Sequence, residues 1–169
     1  MLQMSFDDDH PVVEVVRSAR RRKTISARVV GGILRVSIPA SMTRAEEEEC
    51  VSEMVGRMQR KARTRHIDLP ERAEVLATRY GLRRPSSIRW VDNQEHRWGS
   101  CTPVDGTIRI SSAMAGFPSW VIDAVIVHEL AHLQVHGHGP AFKAIMARYP
   151  KAELARGFLI AKGLENDDE

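Results

Sequence analysis

The chain has 169 residues and a net charge of +3, with 43% hydrophobic and 28% charged residues. That profile excludes a disordered chain and suits one ordinary domain, or a domain with a small appendage. Two cysteines are too few for a disulfide framework, the acidic start "MLQMSFDDDH" lacks the apolar stretch of a signal peptide, and no apolar run reaches membrane-span length, so a cytoplasmic protein with no membrane partner is expected.

Residues 1–10 read as a disordered tail, and residues 11–40 as a small N-terminal β layer. "TISARVV" and "ILRVSIP" alternate apolar and polar residues around Gly31-Gly32, the signature of a two-residue hairpin. Between the strands lies "RSARRRK", residues 17–23. Such a run most often forms a solvated loop or strand edge. Its functional reading is a nucleic-acid contact through Arg20, Arg21, Arg22 and Lys23.

Thr43 followed by Glu46 is a capping box that opens a connecting helix over 43–66. Glutamates crowd its start and basic residues its end, which suits the helix dipole. Val51, Met54, Val55 and Met58 form its core stripe. "ERAEVLATRY" predicts a second helix, stopped by Gly81. "SSIRWV", "EHRWGSC" and "GTIRIS" then read as strands, the last two flanking a turn at Asp105-Gly106. From Pro118 the pattern is helical. "PSWVIDAVIVHELAHLQV" is apolar on nearly every face, so it predicts a buried helix, ended by Gly137 and Gly139. Pro140 and Pro150 open two more. The expected fold class is α+β, with the N-terminal β layer preceding one larger domain over 41–169.

Inside the buried helix lies "HELAH". Residues four apart share a helix face, so His128 and His132 can hold one metal ion. Glu129, one residue off that face, reaches a metal-bound water without being a ligand. Two histidines and a glutamate without compensation would cost several kcal/mol in so apolar a helix, which argues against an accidental match. A catalytic zinc site commonly uses a third protein ligand, and both His136 and His138 are near. The spacing to His138 matches the metzincin ligand pattern, but Val135 stands where metzincins carry their turn glycine.

"RWGSC" at 97–101, a short hairpin, "VIDAVIVHELAHL", then "HGPAF" and a proline after an aromatic together resemble the YgjP-like metallopeptidase family, a zincin group related to the WLM and SprT-like zinc proteases. The opening "VRSARRRKTISARV" fits as well, so the resemblance runs from about Val12 to Pro150. It implies a zincin-like catalytic unit with an active-site helix and a short β-sheet, and Zn2+ as cofactor. It also implies His128, His132 and His138 as ligands and Glu129 as the catalytic acid/base. The implied reaction is hydrolysis of a peptide or protein substrate by Glu-assisted attack of a zinc-bound water. One departure is Gly139-Pro140-Ala141-Phe142-Lys143, where the family often carries Ser and a Phe-Trp pair. Helix geometry agrees with His138. On a continuous helix His136 would sit about 12 Å along the axis from His128, whereas a left-handed Gly137 turns the chain back.

The remaining candidates are less determined. Arg97, His136 and Tyr149 are candidate oxyanion donors. Arg97 and Trp98 would lie near the cleft if 97–101 offered an edge to substrate. Alternatively Trp98 packs in the core and Gly99 permits close approach to the active helix. Cys101 reads as a structural thiol, with zinc binding as the rival reading. Asp123 is expected to orient an imidazole or pair with an arginine such as Arg97. Two further functions remain open: a zinc amidohydrolase acting on a non-peptide amide, and a nucleic-acid-associated protein with a zinc site, including a protease acting on DNA-bound proteins.

Overall fold

The computed structural model describes residues 11–94 and 97–163. The expected disordered tail, residues 1–10, lies outside the described residues. The chain divides into two compact units, Met1–Ala62 and Arg63–Glu169.

The first unit contains β1 (Val13–Ser18), β2 (Ser26–Val30), β3 (Ile33–Pro39) and most of α1 (Arg44–Thr64). The β2–β3 hairpin forms as expected: Gly31 and Gly32 have φ of 57° and 83°, the pair of positive values that a primed hairpin turn requires. The sheet order is β1-β3-β2, with β1 parallel to β3. Leu34, Val36 and Ile38 point inward, and Val51, Met54, Val55 and Met58 pack against them. The capping box is present. The Thr43 backbone N–H and hydroxyl donate to Glu46 Oε2 at 2.7 and 2.8 Å, and Glu46 N–H returns a bond to Thr43 Oγ1 at 3.3 Å. Arg17 pairs with Glu47 and donates to the Ala40 and Met42 carbonyls at 3.2 and 2.8 Å, which ties β1 to the turn that starts α1. The sequence groups α1 with the larger domain; by contacts, the helix falls with the first sheet up to Ala62.

The second unit contains α2 (Leu69–Tyr80), β4 (Ser87–Val91), β5 (Gly99–Thr102), β6 (Thr107–Ser111), a 3₁₀ turn (Ser112–Gly116), α3 (Ser119–His132), α4 (Pro140–Met146) and α5 (Ala152–Ala161). The class is α+β. The sequence did not anticipate the 3₁₀ turn, because five residues are too few to show a period. Asp68 caps α2 by accepting from Glu71 N–H at 3.0 Å, and Gly81, at φ 64°, ends it. The sheet order is β4-β6-β5, β4 parallel and β5 antiparallel to β6. Its inner residues Ile88, Ile108 and Ile110 are buried in the same core as α3. Val121, Ile122, Val125, Ile126, Val127 and Leu130 are all 0–1% exposed, which explains why α3 shows no apolar stripe: every face is covered. It touches α2, α4, α5, β5 and β6. Asp123 does pair with an arginine, but with Arg72 on α2 rather than Arg97, through both carboxylate oxygens.

Candidate metal centre

His128 and His132 sit one turn apart near the end of α3. The helix stops at His132, three residues earlier than the apolar pattern suggests. Gln134 and Val135 N–H both bond to Ala131 O, at 3.0 and 2.9 Å. The chain then reverses at Gly137, φ 70°, a left-handed value available to glycine at little cost. The reversal brings His138 back. His138 Nε2 lies 3.3 Å from His128 Nε2, and His132 Nε2 lies 3.1 Å from the same atom. The three ligand atoms all fall within 4.8 Å of one another. Two nitrogens held 2.0–2.1 Å from one tetrahedral zinc ion are about 3.3 Å apart. The donor set and its spacing therefore fit a zinc ion.

The surroundings favour a neutral imidazole at His128. Burial, and then the neighbouring charges of His132 and His138, push the His128 imidazole down from 6.5 to about 3. His132 Nδ1 lies 3.4 Å from Val135 O. A proton on Nδ1, donated to that carbonyl, turns the Nε2 lone pair towards the cluster. Phe142, from α4, places its ring centroid 4.8, 4.7 and 4.5 Å from those of His128, His132 and His138. It is the shared backing of the cluster. The sequence offered it only as part of "HGPAF"; no local period signals a ring that packs across a chain reversal.

Glu129 is 4% exposed, and its carboxylate lies along the inner face of β5. A Cβ built on Gly99 would meet Glu129 Oε1 at 2.5 Å. Of the two readings of residues 97–101, Trp98 takes the core one. It is 4% exposed and packs edge-to-face on Phe117 with centroids 5.1 Å apart. Cys101 is half-buried and outside the three-histidine group. Burial, then the charge of Glu129, pushes its thiol up to about 11, so it stays protonated at neutral pH.

Tyr149 is not at the cluster. Its hydroxyl donates to Trp120 O at 2.7 Å, at the opposite end of α3, and burial pushes the phenol up to about 12. Eight helical residues separate Trp120 from His128, about 12 Å of rise. Tyr149 is thus a packing residue, edge-to-face with Tyr80. Arg97 and His136 are both exposed.

Two solved structures resemble the fold. One is the metallopeptidase zymogen of Pyrococcus abyssi abylysin, with a TM-score of 0.50 and 19% identity over 55% of this chain and 92% of that one. The other is the metallopeptidase zymogen of Methanocaldococcus jannaschii jannalysin, with a TM-score of 0.49 and 17% identity over 57% and 97% of the two chains. No curated protein matches the chain. The model of the YgjP-like metallopeptidase domain matches residues 39–157, which include the three clustered histidines and Glu129. On that match, over well more than half its length, the chain belongs to the YgjP-like metallopeptidase domain family.

Proposed function

We propose that this metallopeptidase is a zinc enzyme that hydrolyses peptide bonds, with His128, His132 and His138 as ligands and Glu129 as acid/base. The observation that carries this is the convergence of three imidazoles, with the His132 and His138 nitrogens 3.1 and 3.3 Å from that of His128, beside a buried glutamate. When bound, zinc polarises the scissile carbonyl and lowers the pKa of water towards about 7. Glu129 accepts the proton of the attacking water at its carboxylate and delivers it to the leaving amine. Phe142 keeps water from the back of the imidazoles. Arg97 and His136, both exposed, are the remaining candidates for stabilising the oxyanion. The two free cysteines suit a reducing, cytoplasmic setting. Among the described residues no helix is long and apolar enough to cross a membrane.

The test is Glu129→Gln, which keeps shape and leaves the imidazoles in place. Zinc content is expected to stay stoichiometric while cleavage of an unfolded protein falls by about a hundredfold or more. Full activity in that variant removes the mechanism.

A second reading, in which the protein also associates with nucleic acid, is favoured by one observation. Arg17, Arg35, Arg44 and Arg57 of the first unit each pair with a glutamate. Arg20, Arg22 and Lys23 are exposed and, among the described residues, make no ion pair. They form a cationic loop open to phosphates. Arg21 donates to Thr24 O at 3.4 Å within the same loop.

A further inference from the structure

Gly99 opens β5 where the strand faces α3. A Cβ built there would lie 2.5 Å from Glu129 Oε1, 2.9 Å from Cγ and 3.0 Å from Cδ. Real side-chain carbons do not approach so closely. The backbone gives no other reason for glycine, since Gly99 is absent from the positive-φ residues. What the position supplies is space, and Glu129 fills it.

The strand has no room to retreat, so the Glu129 side chain must give way. Trp98, the preceding residue, is 4% exposed and wedged against Phe117, which in turn packs edge-to-face on Phe158 at 5.2 Å. Ser111 N–H donates to Trp98 O at 2.8 Å, and Gly99 is paired with Ile110 of β6. The strand is therefore fixed from its neighbours' side. Glu129 is 4% exposed on a helix buried on every face.

We propose that Gly99 is a positioning residue: its bare backbone is the wall against which the Glu129 carboxylate is set, and any side chain there displaces the acid/base group. The inference rests on Glu129 being that group. Because the colliding atoms belong to one side chain, the fold and the three imidazoles survive the substitution while the carboxylate moves.

Gly99→Ala is accordingly expected to fold, to bind zinc at one equivalent, and to lose about a hundredfold in kcat with KM little changed, the scale of lost general acid–base help. Two cycles separate this from a merely structural defect. In activity, Gly99→Ala added to Glu129→Gln is expected to cost nothing further. In stability, measured on the metal-free protein by urea unfolding, Gly99→Ala is expected to destabilise the native chain and to be nearly neutral in a Glu129→Ala background, where the colliding atoms are gone. If Gly99→Ala alone does not fold, the Gly99→Ala/Glu129→Ala protein is expected to fold. Native kcat in Gly99→Ala, or equal destabilisation in both backgrounds, overturns the proposal. Full activity of Glu129→Gln instead overturns the acid/base reading beneath it.

Discussion

The two sheets have the same topology and opposite fates. Each has three strands in the order first-third-second, the outer first strand parallel and the hairpin partner antiparallel to the central one. In the first sheet the hairpin strand β2 is exposed at all five positions, Val29 at 51%. In the second the equivalent strand β5 starts with a buried glycine pressed against Glu129. The outer faces differ as well. Glu14, Arg35 and Arg28 line up across the first sheet, with Arg35 bonded to Glu14 at 2.7 Å. Arg89, Arg109 and Ser100 line up across the second. Topology therefore does not place the chemistry. A strand of small residues, Gly-Ser-Cys-Thr, admits a helix at carboxylate-contact distance; Ser-Ala-Arg-Val-Val does not.

The sharpest way to break this contrast is at the end of α3. His138→Ala is expected to abolish stoichiometric zinc binding and, with it, hydrolysis, while His136→Ala keeps the metal. Elemental analysis of the two folded variants checks this. Zinc lost with His136 and kept without His138 would sink the ligand assignment.

A smaller effect distinguishes the units by pH. An unfolded chain protonates His128 as the pH falls through about 6.5, whereas the folded, metal-free chain holds it neutral down to about 3. The stability contributed by the neutral imidazole is therefore complete above 6.5 and is lost progressively as pH falls towards 3. Residues 11–62 contain no histidine. Hydrogen exchange resolved by segment is expected to show α3 losing protection between pH 7.5 and 5 while β3 and α1 hold theirs. Equal loss in both units would show that His128 is not the responsible group.

The smallest effect is expected in the first unit. Neutralising Arg20, Arg21, Arg22 and Lys23 should leave peptide hydrolysis within twofold and stability within about 0.5 kcal/mol, as for ordinary surface changes, and should weaken any salt-dependent DNA binding. Collapse of hydrolysis in a folded variant would tie this loop to the active site.

Features set by near neighbours were legible in the sequence. The Thr43–Glu46 box, the Gly31-Gly32 turn, the Gly81 stop and the His128–His132 spacing each depend on residues a few positions apart. The reversal at Gly137 was legible for the same reason. What depends on distant partners was not. The parallel pairing of β1 with β3, the Arg72–Asp123 pair, the Phe142 ring and the burial of Tyr149 all join segments whose sequences carry no mark of each other. Tyr149 is instructive. A tyrosine close in sequence to a histidine cluster suggests chemistry, but α4 carries it to the other end of α3. Gly99 lies between the two cases, because its closeness to a helix was readable while the identity of the contacting side chain was not.

The three clustered histidines come from one short segment, His128 to His138, whereas the wall behind Glu129 comes from a strand thirty positions upstream in the chain. Closing the first is a local event and closing the second is not, and loop-closure entropy separates the two in folding time. A chain whose β5–β6 hairpin has yet to dock, or has peeled away, can still gather its imidazoles. Loading with metal is then a poor report of maturity, because an ion can be captured by a molecule that has not assembled its machinery for moving protons.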